Sequence, residues 1–198
     1  MKQMKVRLTL VEELLGTASS NPKIHEEFIA SNAPDAPSRE EEIAAMGVEA
    51  VAEKGRTVFP RDEKGHPFLW DYQIRGFFKE SCSFMRKIPN SASSKIKAYK
   101  KEIDGLIFVE ERRIPLVLSG PIGDCQRPLR AQTLQGERVA LASSETAPAG
   151  TVLEFTITCM IDGDMDAVKE WLTYGRRHGL GQWRNGGKGA FRWEQIPA

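Results

Sequence analysis

Alternation opens the chain. Across Lys5–Val11 the apolar side chains of Val6, Leu8 and Leu10 fall on one face, the period of a half-buried strand. Thr151–Met160 carries the same pattern further, with Leu153, Phe155, Ile157 and Cys159 set against Glu154, Thr156 and Thr158. Between them the period changes. Ile74, Phe77, Phe78, Cys82 and Met85 recur at helical spacing and predict a core helix despite Gly76, with Asp71 as its cap. Met165, Val168, Trp171 and Leu172 predict a last helix capped by Asp164, then a glycine-rich loop and a closing strand, Phe191-Arg192-Trp193.

Shorter signals fill the intervals. Thr57–Phe59 and Pro67–Trp70, around the turn Arg61-Asp62-Glu63-Lys64-Gly65, predict a β-hairpin. Strand-like runs stand at Leu106–Val109, Ile114–Leu118 and Arg138–Ala142, and Glu145–Gly150 reads as a turn. Asn90–Lys101 reads as a flexible loop or a short basic helix. Residues 119–136 read as a long loop, of a length that compact domains keep mainly for binding. Residues 17–55 read as an acidic helical insertion, with Asn21 before Pro22 and the capping box Ser38-Arg39-Glu40-Glu41 ahead of Ile43 and Met46. The core order is strand, helix, strands, strand, helix, strand. That is an α+β, ferredoxin-like (RRM-like) split βαβ plan with an N-terminal helical insertion and an extra β-hairpin.

Composition narrows the class. The chain has 198 residues, 40% hydrophobic and 28% charged, as expected of one soluble domain over 1–198. Cys82, Cys125 and Cys159 form no CxxC and suit free thiols in a reducing cytoplasm, and three scattered histidines give no metal site. No apolar run approaches the roughly 20 residues of a membrane span, and the opening alternation is unlike a signal peptide. Neither a cofactor nor a membrane partner is expected, and the expected location is cytoplasmic.

Charge is segregated. The net +1 hides a local −7 over residues 26–53 and a local +7 over residues 75–101. Residues 176–192 add Arg176, Arg177, Arg184, Lys188 and Arg192 without an acid. Two solvated faces of opposite sign account for this, as do two basic stretches converging on a polyanion; the second needs a fold that brings 75–101 and 176–192 together.

The sharpest local signal is Gly179-Leu180-Gly181-Gln182-Trp183-Arg184-Asn185-Gly186-Gly187-Lys188-Gly189. Its glycines would let backbone N–H groups approach a phosphate, Arg184 and Lys188 supply charge, and Trp183 offers a stacking face. It is not a nucleotide-hydrolase P-loop, since Gly189 follows Lys188 and the loop runs from helix to strand. A glycine-rich turn packed against the first strand is the plainer account of the same residues.

Gly-hydrophobe-Gly, five residues, then Gly-x-Gly is similar to the signature loop of the RAMP superfamily, the RNA-binding subunits and processing endonucleases of CRISPR systems. Two further segments resemble its backbone-subunit branch, which includes the type III effector filaments. Pro67–Lys79, with Ile74-Arg75-Gly76 and Lys79, resembles the family's Ser-Ser-Leu-Lys/Arg-Gly helix start, with the Pro-Gly-Ser-Ser portion replaced. Glu145-Thr146-Ala147-Pro148-Ala149-Gly150-Thr151 resembles its Glu-Arg-Val-Pro-Ala-Gly-Thr turn. The chain also resembles uncharacterised phage and prophage proteins.

The resemblance implies a single RAMP-like domain whose sheet and glycine loop meet single-stranded RNA or another phosphate-rich nucleotide ligand. Arg75, Lys79, Arg184 and Lys188 would serve phosphates and Trp183 a base, on a loop shaped by Gly179, Gly181, Gly187 and Gly189. A phage-encoded copy would act in the host cytoplasm, on or in imitation of an RNA-guided defence complex. Where the family carries a catalytic aspartate this chain has Glu53-Lys54-Gly55-Arg56, so binding without catalysis is expected. His25 is the weak candidate for a general base in the alternative of a metal-independent endoribonuclease. The other alternative is a structural protein forming head-to-tail oligomers, its acidic segment meeting the basic face of a neighbour.

Overall fold

The computed structural model describes residues 1–19, 56–133 and 136–197. In chain order the elements are β1 (Lys2–Leu10), β2 (Leu14–Leu15), β3 (Ala18–Ser19), β4 (Thr57–Val58), β5 (Phe68–Trp70) and α1 (Asp71–Met85). There follow α2 (Tyr99–Leu106), β6 (Ile107–Val109), β7 (Arg113–Pro115), β8 (Gly123–Thr133), β9 (Gly136–Ala147), β10 (Val152–Cys159), α3 (Asp164–His178) and β11 (Phe191–Ile196).

The alternating segments assemble as their pattern requires. β1, β10 and β11 share a sheet with β6 in the order β11-β1-β10-β6, every neighbour antiparallel. Counted along the chain this is fourth, first, third, second, the strand order of a ferredoxin-like core. The apolar side chains of β1 and β10 point one way and are buried under α1 and α3. The helices meet through Phe78 and Trp171, whose ring centroids lie 5.5 Å apart, and Phe77 reaches Phe191 of β11 at 5.5 Å.

The opposite face of the sheet mixes both signs of charge. Arg7 is held between Glu154 at 2.7 Å and Glu194 at 3.1 Å, while Glu110 and Glu111 accept hydrogen bonds from Thr158 and Thr156. Lys5 and Arg192 stand on the same face, in register with Thr156 and Thr9.

Several other local expectations change. Residues 119–136 are not a long loop: β8 runs through them and pairs with β9 from Gly123↔Thr146 to Thr133↔Gly136, so this ribbon is an extra hairpin. Among the described residues β8 pairs only with β9, an edge position at which Pro128 is tolerated. Glu145–Ala147 belong to β9, leaving the turn at 148–150. At 57–70 the turn forms, with Arg61 bridged to Pro67, but its arms diverge: β4 joins β3 and β9, and β5 pairs with β7. Of the two readings of Asn90–Lys101, its end takes the helical one, entering α2 at Tyr99. Ala18–Ser19 form a strand, so residues 18–19 are not helical, and residues 20–55 of the acidic segment, His25 included, lie outside the described residues. Neither aspartate caps its helix. Trp70 and Gly163 occupy those positions, and Trp70 N–H donates to the Gln73 side chain at 2.8 Å.

Candidate nucleic-acid interface

The glycine loop leaves α3 at Gly179 and returns at Gly189, and its neck is closed by backbone contact. Leu180 N–H donates to Gly189 C=O at 2.9 Å, and Gly189 N–H donates to Glu13 C=O at 2.8 Å. A Cβ on Gly189 would lie 1.9 Å from the Leu180 oxygen, so glycine is required there by the close approach. The N–H groups of Gly179, Gly186 and Gly187 donate to Gly175, Trp183 and Arg184 carbonyls. These glycines therefore build the loop, and their N–H groups are not presented to an anion.

What the loop presents is side chains. Trp183 takes the left-handed conformation at φ 53°, and its indole folds back over Gly186, where a Cβ would come within 2.9 Å of the ring. The ring is 43% exposed, in line with a stacking surface. Arg127, from the ribbon strand β8, lies 5.3 Å from the Trp183 ring centroid. Its Nη2 donates to Gln182 Oε1 at 2.8 Å, and Gln182 Nε2 donates on to Gly16 C=O at 3.1 Å. Its Nε and Nη1 groups are buried and have no acceptor among the described residues. Arg127, Trp183, Arg184, Asn185, His178 and Glu80 line one cavity of about 480 Å³.

The two basic stretches do converge, with a carboxylate between them. Arg184 pairs with Glu80 of α1, and His178 Nε2 lies 3.3 Å from the same carboxyl group. Burial holds the His178 imidazole below its ordinary pKa, with Glu80 acting against that, so it contributes no full charge at neutral pH. The other sequence-identified cations also have partners within the chain. Lys188 pairs with Glu13, Arg75 with Asp71 at 2.9 Å, and Lys79 with Asp104 at 2.5 Å. Arg75 and Lys79 are spent on the helix's own surroundings and line neither this cavity nor its neighbour. Arg127 falls in the 119–136 stretch that the sequence marks as a binding loop, and nothing local in the sequence ties it to Trp183.

No protein-family model and no curated protein sequence matches the chain. Among solved structures it is similar to a chain of the cryo-EM structure of the type III-B Cmr-beta bound to cognate target RNA, with a TM-score of 0.55 at 12% identity. The match covers 99% of this chain and 60% of that one, so this chain spans well under two thirds of its neighbour. The likeness is one of fold: a mixed α+β chain with a ferredoxin-like core. No helix among the described residues is long and apolar enough to cross a membrane.

Proposed function

We propose that this chain binds single-stranded RNA without cleaving it, as a RAMP-like module of an RNA-guided, CRISPR-type assembly, with residues 1–198 forming one unit. The observation that carries the reading is the pairing of Trp183 with Arg127: an exposed indole backed by a guanidinium, the two residues lining one cavity. A base stacks on the indole, and a phosphate meets the Arg127 side chain where it lines the cavity. Arg184 and Asn185 complete the polar wall, and Lys188, 5.9 Å from the same ring, stands behind it on Glu13. The fold shared with a chain from an RNA-bound Cmr-beta structure supports the choice of RNA.

The test is a fluorescence-anisotropy titration of a short, unstructured oligouridylate at low and moderate salt. Trp183→Ala is expected to cost about 1–3 kcal/mol with little change in salt dependence. Arg127→Gln is expected to cost about 1 kcal/mol and to flatten the salt dependence by close to one phosphate contact. Absence of binding by the wild type at low salt defeats the reading and favours the head-to-tail assembly protein, which light scattering then checks.

A further inference from the structure

At Gly181, Arg184 and Glu80 the loop groove opens into a second cavity of about 460 Å³ that the RNA site described above does not use. Its floor is apolar, made by the buried side chains of Leu14, Leu15, Leu69, Phe77 and Leu180. Two features of α1 shape its mouth. Gly76 lines the cavity, and a Cβ built on it meets nothing within 4 Å, so packing does not account for a glycine in a helix interior, where it is unfavourable. Tyr72 lines it as well, 53% exposed, its ring 15° from parallel with Trp70 at a centroid distance of 6.4 Å.

Cations continue the same stack. The guanidinium groups of Arg112 and Arg113 lie 5.2 and 5.6 Å from the Trp70 ring centroid. Arg112 shares Asp71 with Arg75, whereas Arg113 has only ring contacts among the described residues. Gln73, which lines the cleft, is held by the chain itself. Gln73 already accepts from Trp70 N–H and donates to Thr17 at 2.5 Å. The cleft therefore offers the Tyr72 ring at its mouth, shares Glu80, Gly181 and Arg184 with the Trp183 groove, and has Arg112 and Arg113 outside its lining, against Trp70.

We propose that this cleft is a second stacking station for the same strand, in which an unpaired base of any identity lies against Tyr72 over Gly76, and Arg112 and Arg113 meet the phosphates beyond. The inference rests on the RNA-binding reading and extends its footprint from one station to two. It assigns Gly76 the task of keeping the cleft open.

The experiment titrates two fluorescent probes of equal length, an oligouridylate long enough to span both stations and an oligomer of abasic sites that keeps only the backbone. Tyr72→Ala is expected to weaken oligouridylate binding roughly tenfold, and Tyr72→Phe to restore it. Gly76→Leu, which fills the cleft, is expected to match Tyr72→Ala, with a melting temperature at or above that of the wild type. Binding of the abasic oligomer stays unchanged in all three. If Tyr72→Ala and Gly76→Leu bind oligouridylate like the wild type while Trp183→Ala is impaired, the second station is overturned and the RNA reading stands. If the wild type binds neither probe, both fall.

Discussion

Glu80 is the residue on which the groove's charge turns, because one carboxylate serves Arg184 and faces His178. It offsets one of the two guanidinium charges that line the cavity and limits what the two basic stretches offer a polyanion. His178 reports on that balance through pH. Its folded-state pKa is held below the unfolded value, chiefly by burial, so the unfolded chain binds the proton more readily. The stability that neutral His178 contributes is therefore complete above about 6.5 and is lost as pH falls through the lower folded value. Urea melts of the wild type and His178→Gln at neutral and mildly acidic pH check this. The wild type is expected to lose more stability on acidification than the variant, and an equal loss in both would exclude His178 as the titrating group.

At the scale of elements, the two core helices each carry an interior glycine, for opposite reasons. In α1, Gly76 faces open space; in α3, Gly175 lies under the Phe191 ring, where a Cβ would come within 2.1 Å of the ring carbons. Gly175 thus sets how closely α3 approaches β11. Gly175→Ala is expected to destabilise the fold by about 1–3 kcal/mol through overpacking, whereas Gly76→Ala should stabilise it by up to about 1 kcal/mol through helix propensity. Chemical denaturation separates the two, and equal effects would refute the packing argument. Both helices were legible because one apolar stripe must be buried, and Phe77, Phe78 and Trp171 announce it at 3.6-residue spacing. The ribbon strand β8 was not: among the described residues it pairs only with β9, and it carries a proline and no apolar alternation.

At the scale of the molecule, strand order could be read from the chain because β1, β10 and β11 alternate, whereas the site's electrostatics could not. Ion pairs between residues 104 and 175 positions apart, Arg184 with Glu80 and Lys188 with Glu13, leave no local trace in a sequence. They change what binding should look like. If all four sequence-identified cations met phosphates, a short strand would release counterions with a slope near −2.8, at about −0.7 for each phosphate. Arg75 and Lys79 are held on Asp71 and Asp104 away from the groove, and Lys188 is held on Glu13. Arg127 and Arg184, both on the cavity wall, remain as the direct contacts. For the shortest oligouridylate that binds, the expected slope of log K against log salt is therefore near −1.4. Titrations across a range of potassium chloride concentrations measure it. The competing surface is the exposed run Lys95, Lys97, Lys100 and Lys101, which has no ion pair among the described residues. A slope of about −3, abolished by replacing those four lysines and indifferent to Arg127→Gln, would move the RNA off the glycine loop and onto α2 and the turn before it.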